Sequence, residues 1–177
     1  VGKYQFPKTI GTYLDFGCAD GSKTIAFGIA LGANEIHGID TEDDFDGPIH
    51  RLEGFHLKIY KSGDKLPYDD NTFDVISSIH TLHHIEHNIN SLEEIRRILK
   101  PDGILILREH DINNDNDRKL VDIEQYIYML CLKEKFQLTN INGYYSLYEN
   151  RTSWTEKLTR LGFNSEFYHK PQMGNYN

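Results

Sequence analysis

The chain has 177 residues, a formal net charge of −8, 38% hydrophobic residues and a mean hydropathy of −0.56. Its length suits one domain with a proper core, and it has no apolar run near the ~20 residues that a membrane span requires. The acidity argues against a broad nucleic-acid surface, while leaving room for local recognition of one nucleotide or an RNA end. The start, Val1 to Lys8, has no signal-peptide core and no initiator Met. The expectation is a single domain over 1–177, excised from a longer polypeptide. Cys18 and Cys131 are far apart, in a glycine turn and an apolar helix, which points to a reducing compartment and a cytoplasmic location.

Strands and helices alternate, which predicts an α/β fold: a Rossmann-like, doubly wound, mostly parallel sheet of six or seven strands with helices on both faces. Tyr13 to Phe16 is the first strand, and Ser22 to Leu31 the first helix, with Ser22 as N-cap and Gly32 as C-cap glycine. Glu35 to Asp40 is the second strand. Gly47-Pro48 and Gly54 leave room only for a short helix between Ile49 and Glu53, and Phe55 to Tyr60 is the third strand. Pro67 to Asn71 is a turn by its chemistry, feeding a fourth strand, Phe73 to Ile79, suited to burial on both faces.

A helix over Ser91 to Leu99 puts Leu92, Ile95, Ile98 and Leu99 on one face, and Lys100-Pro101-Asp102-Gly103 closes it. Ile104 to Arg108 is the strongest strand of the chain. A helix from Arg118 to Leu132 carries Leu120, Ile123, Ile127 and Leu130 as its apolar stripe. Trp154 to Leu161 is a last helix, closed by Gly162, and Phe163 to His169 a sixth strand. Glu42-Asp43-Asp44 and Asp111 to Asp117 read as solvated acidic loops.

The segment Thr12 to Gly21, Thr-Tyr-Leu-Asp-Phe-Gly-Cys-Ala-Asp-Gly, followed by Gly38-Ile39-Asp40, carries the chemistry. A strand breaks into a glycine turn before a helix, and the next strand ends on an acid: a β-loop-α-β nucleotide-binding unit. Gly-x-Gly-x-x-Gly is absent, no Lys or Arg lies between Asp15 and Ser22, and Asp15 and Asp20 would repel a pyrophosphate. A ligand with a cationic centre and an ammonium group suits such a turn better.

These residues resemble the first motif of the class I S-adenosylmethionine-dependent methyltransferases, acid-x-Gly-x-Gly-x-Gly. Asp15, Gly17 and Gly21 match; Ala19 stands in for the central glycine. Gly63 to Ile76 looks like that family's third-to-fourth strand connection, Leu82-His83-His84-Ile85 like its segment after strand four, and Leu99 to Ile104 like its turn into strand five. The pieces keep the family's order from about residue 12 to 108.

The resemblance implies S-adenosylmethionine as cofactor. Asp15, Gly17 and Gly21 would face its methionine part, and Cys18 and Ala19 would contribute backbone. Asp40 would accept hydrogen bonds from both ribose hydroxyls, since a carboxylate is a pure acceptor. The position beside the adenine amino group, an acid in many family members, is Ser62 here, with Asp64 or a backbone group as a substitute. Ile79 and His80 would line the floor beside the sulfonium. Candidate bases at the C-terminal strand ends are His80, Glu109, His110 and Asp111. His83 and His87 would share a helical face as a possible metal pair, but no cysteine completes a zinc set, so no metal is expected; the family explains His83-His84 as part scaffold, part pocket wall.

Segment 111–154 is expected to be a substrate-side insertion, rich in aromatic residues: Tyr126, Tyr128, Phe136, Tyr144, Tyr145, Tyr148 and Trp154. With Lys133, Lys135 and Arg151 these could stack a base. The expected acceptor is RNA, in the form of a cap guanine, as in the multi-domain capping enzymes of large DNA viruses. Against it, those enzymes carry a His-Tyr-x-Phe type segment where this chain has His80-Thr81-Leu82-His83. A small-molecule acceptor for O- or N-methylation is the alternative, and a non-catalytic cofactor-binding subunit the reading from another class. Other domains of a parent polypeptide are possible partners; a membrane is not.

Overall fold

The computed structural model describes residues 9–42, 53–136 and 146–168. Five strands form one sheet: β1 (Ile10–Phe16), β2 (Ala33–Asp40), β3 (Phe55–Ile59), β4 (Phe73–Ile79) and β5 (Leu99–Arg108). Their order is β3-β2-β1-β4-β5, and every neighbouring pair is parallel. The winding reverses at β1, so β2 and β3 lie to one side and β4 and β5 to the other. In an open sheet of this kind ligands bind at the carboxyl ends of the strands beside that reversal. Here those ends carry Gly17, Asp40 and His80.

Burial explains why these segments form strands. Tyr13 and Leu14 point to opposite faces of β1, and both are fully buried. On one face Leu14, Phe16, Ile39 and Ile76 pack with Leu92, Ile95 and Ile98 of α2 (Asn88–Ile98) and with Trp154 and Leu158 of α4 (Arg151–Arg160). On the other, Ile10, Tyr13, Val75 and Ile104 pack with Leu31, at the end of α1 (Ser22–Leu31). Helices therefore cover both faces, as expected.

Several expectations are corrected. The described residues form five strands rather than six or seven. Residues 163–168 of the expected sixth strand have no strand pairing, and His169 lies outside the described residues. Ser22 is the first helical residue rather than the N-cap. Gly21 holds that position at φ 73°, and the Asp20 carboxylate accepts from the Ser22 N–H at 3.1 Å and from its hydroxyl at 2.7 Å. Lys100-Pro101-Asp102-Gly103 is an irregularity within β5 rather than a closing turn: Phe73 pairs with Leu99, but Val75 already pairs with Ile104. The short segment at 49–52, and Tyr144 and Tyr145, lie outside the described residues.

The largest correction concerns α3 (Asp115–Phe136), a 22-residue helix. Its expected core stripe is solvent-facing: Leu120, Ile123, Ile127 and Leu130 are all exposed, as are Tyr126 and Tyr128. The partly buried side chains of its first two turns and beyond are Asp117, Val121 and Gln125, which share a different face. The helical period was present, but the helix that packs on the sheet after β5 is α4, through Trp154 and Leu158.

Candidate active site

The turn after β1 is held from below by β2. Gly17 and Cys18 donate their N–H groups to the Ile39 carbonyl at 2.9 and 3.3 Å, and Gly21 N–H closes the turn onto the Cys18 carbonyl at 2.9 Å. Gly17 (φ 84°), Ala19 (φ 45°) and Gly21 (φ 73°) all have left-handed backbone. The room left by the two glycines is taken by protein. A Cβ on Gly17 would meet the Thr81 side chain at 2.2 Å, and one on Gly21 would meet the Phe55 ring at 3.0 Å.

Asp40 stands half-exposed at the end of β2. Its Oδ2 accepts from Ala19 N–H at 2.7 Å, and its Oδ1 from Thr41 N–H at 2.6 Å. Oδ1 also takes the Thr41 hydroxyl in a long contact of 3.5 Å, so the carboxylate is fixed to the turn while Oδ2 keeps a lone pair for a further donor, and a ligand hydroxyl could displace that of Thr41 at Oδ1. Those residues fit the sugar of a nucleoside. Asp15, by contrast, is buried. Its oxygens accept from the hydroxyls of Thr24 (2.7 Å) and Ser77 (2.6 Å), tying β1 to α1 and β4, and burial raises its pKa. Cys18 is buried too, its thiol against Gly38, and burial pushes its pKa up, so it is an inert packing residue beside the turn.

Ser62 and Asp64 are exposed on the connection after β3. Asp64 lines a cleft of about 270 Å³ with Tyr60, Lys65, Leu66, Asn90 and Glu94. That cleft contains neither Asp40 nor any of the histidines, so it is an edge of the site and not its chemical centre.

The ends of β4 and β5 carry the titratable cluster. Ile79 is half-buried. His80 has left-handed backbone at φ 56°, its N–H donating to the Arg108 carbonyl at 2.8 Å. Its Nδ1 lies 3.2 Å from Nε2 of His110. Burial first, then His110, lowers the His80 pKa to about 4; burial, then His83, lowers that of His110. Both rings are thus neutral near pH 7 and share one hydrogen. Asp111 is exposed and accepts from the Arg151 N–H at 2.8 Å, which starts α4.

The Glu109 side chain is buried, at 3% exposed; Oε1 accepts from the N–H groups of Thr81 (3.1 Å) and Leu82 (2.8 Å), and Oε2 lies 2.5 Å from Nδ1 of His83. His83 sits in a single 3-10 turn, Leu82–His84, so it does not share a helical face with His87. Among the described residues no three His, Cys, Asp or Glu side chains converge as a metal set. Sequence reasoning missed the Thr81–Gly17 contact and the His83–Glu109 pair. The Leu-His-His segment and the acid after β5 were visible, but not their meeting.

This is the fold of the class I S-adenosylmethionine-dependent methyltransferases. A profile of the family described as a methyltransferase domain matches residues 14–107, and the chain belongs to that family. It is 27% identical over 135 residues to an uncharacterized methyltransferase, C1B3.06c, of Schizosaccharomyces pombe, covering 62% of this chain and 47% of that protein. It is 29% identical over 101 residues to a demethylmenaquinone methyltransferase of Staphylococcus haemolyticus, covering 54% and 42%. The matches thus span less than half the length of these relatives. A solved structure of a putative methyltransferase from Bacillus halodurans superposes with a TM-score of 0.66 at 18% identity, covering 93% of this chain and 67% of that one. The cofactor of this family is S-adenosylmethionine. No helix among the described residues is long and apolar enough to cross a membrane.

Proposed function

We propose that this chain moves the methyl group of S-adenosylmethionine to a small-molecule acceptor. The observation that carries it is the Asp40 carboxylate, fixed by Ala19 N–H to the glycine turn at the reversal of the sheet, in a chain of the methyltransferase family. Asp40 would hold the ribose, and the Gly17–Gly21 turn and Ile79 would border the methionine end. Bound there, the cofactor supplies an activated methyl group. The protein's own work is alignment, exclusion of water and handling of one proton. The insertion expected over 111–154 would supply the acceptor side: within its described part, Gln125 of α3 reaches His110, 3.5 Å away.

The small-molecule reading takes precedence over RNA. The relative whose name states an acceptor acts on demethylmenaquinone, and a net charge of −8 offers no general attraction to a phosphate backbone. The cytoplasmic location and the partnership with further domains of a parent polypeptide remain part of the proposal.

Calorimetry with S-adenosylmethionine is the first test. Binding in the micromolar range, weakened about 10- to 150-fold in Asp40→Ala, supports the reading, and no binding at millimolar cofactor ends it. Methylation assays over phenols, quinols, amines and capped RNA then decide the acceptor. Binding without turnover on every substrate would favour the non-catalytic subunit.

A further inference from the structure

We propose that His83, held by Glu109, takes the proton from a hydroxyl group on the acceptor; this rests on the methyltransferase reading and names its substrate class as a hydroxylated ring. The argument begins with which atom carries the hydrogen. The Glu109 carboxylate can only accept, and its Oε2 lies 2.5 Å from Nδ1 of His83, so Nδ1 carries the hydrogen. In the neutral form of that tautomer Nε2 is the acceptor nitrogen.

This nitrogen is buried and has no hydrogen-bond partner among the described residues. The His83 side chain is 1% exposed. Buried polar atoms are as a rule hydrogen-bonded, and His37 too has ring nitrogens with no hydrogen-bond partner; what sets His83 apart is the buried carboxylate that orients its other nitrogen. A base oriented by a buried carboxylate, with its second nitrogen open, is the constellation of a general base.

Position supports the assignment. His83 follows Thr81, whose side chain lies against Gly17 of the cofactor turn. The rings of His84 (4.0 Å), His110 (5.3 Å) and Tyr148 (5.3 Å) pack around it, so a group reaching Nε2 would meet aromatic neighbours. Glu109, His80, His84, His110 and Tyr148 are the titratable groups facing it. Leu147 N–H donates to the His83 carbonyl at 2.7 Å, which holds the 147–148 segment beside it.

The chemistry selects oxygen over nitrogen. A neutral amine already has a free lone pair, whereas a phenol, with a pKa near ~10, must shed its proton to become a strong nucleophile. The acceptor's O–H bond breaks and its proton goes to Nε2. The freed oxygen pair forms the bond to the methyl carbon, and the carbon–sulfur pair stays on sulfur. The Glu109 carboxylate beside Nδ1 offsets the charge of the resulting imidazolium.

The test is nitrogen NMR of the histidine rings in the full chain, with phenol and anisole as probes. Wild-type His83 should show the hydrogen on Nδ1, and phenol, but not anisole, should shift its Nε2 resonance. In Glu109→Gln the amide oxygen can keep the Thr81 and Leu82 N–H groups while its NH₂ turns to Nδ1. That forces the hydrogen onto Nε2 and abolishes the phenol response. Turnover on phenolic acceptors should fall about 10²- to 10⁴-fold, with cofactor affinity within about twofold of wild type. Hydrogen on Nε2 in the wild type, equal responses to phenol and anisole, or full turnover in Glu109→Gln would each overturn the assignment. The wild-type probe arms need no variant to fold. Failure of the wild type to bind S-adenosylmethionine would instead overturn the methyltransferase reading.

Discussion

The Thr81 side chain lies 2.2 Å from the point where a Cβ on Gly17 would stand. The glycine at that turn is therefore demanded twice: by its φ of 84° and by a neighbour from the end of β4. Whatever shapes the Gly17 turn also shapes the approach to His83, two residues beyond Thr81.

Gly17→Ala should destabilise the fold by about 2 kcal/mol or more, since left-handed backbone alone costs an L-residue roughly 1–2 kcal/mol. Adding Thr81→Gly removes the collision but not the backbone strain, so it should restore part of the loss. Urea denaturation of the two single variants and the double variant reads the coupling. Strict additivity would show that the contact is not what excludes a side chain at position 17.

Asp40→Ala should weaken S-adenosylmethionine binding by about 1.5–3 kcal/mol, the range for hydrogen bonds to a charged group. The same change frees Ala19 N–H, which now donates to Oδ2 at 2.7 Å, so the turn should loosen as well. Calorimetry measures the first effect and amide exchange at Ala19 the second. Unaltered affinity would remove Asp40 from the cofactor site.

The parts of this fold that were legible in the sequence are those whose pattern is enforced by burial. β1, β4 and α2 show apolar residues at the spacing of their elements because Leu14, Ile76, Leu92 and Ile95 have nowhere else to go. The glycine turn and Asp40 were legible because few residues tolerate the backbone required or offer two acceptor oxygens. What was not legible depends on distance along the chain. Glu109 and His83 are 26 positions apart, Asp15 and Ser77 are 62, and no local period encodes such meetings. α3 misled for another reason: a helical stripe predicts a helix, not what covers it.

The two apolar stripes after β5 should therefore respond differently to truncation. Trp154 is 4% exposed and packed beneath the sheet, so Trp154→Ala should cost roughly 3–5 kcal/mol. Ile123 is 57% exposed, and Ile123→Ala should stay within about 0.5 kcal/mol. Thermal melts of both variants settle the contrast; a large loss at Ile123 would mean that α3 packs against something in solution.

Acid should unfold the chain through its half-buried neutral histidines, His80 and His110, and through a small set of carboxylates. Arg97 grips Glu94 with two hydrogen bonds, at 2.9 and 2.6 Å, while also donating to the carbonyls of Leu66 and Tyr68 and to Asp70. This clasp pins the β3–β4 connection to α2, and the Arg97 hydrogen bonds hold the Glu94 pKa below the usual carboxylate range. Burial pushes the Asp74 and Glu149 pKa values up, but donors from Lys100 and Thr12, and from Lys157, Ser153 and Asn88, outweigh it and leave both depressed. A depressed folded pKa means that the stabilisation is fully present above the unfolded value, near ~4, and is lost as pH falls through the folded one. Tm should begin to fall below about pH 6.5, where unfolded His80 and His110 take up protons that the half-buried rings resist, and fall further below about pH 5 as these carboxylates are protonated. Arg97→Met should lower Tm at neutral pH and flatten the decline below pH 5, because Glu94 then titrates nearly alike in both states. Parallel curves for the two proteins would show that the clasp takes no part in the acid transition.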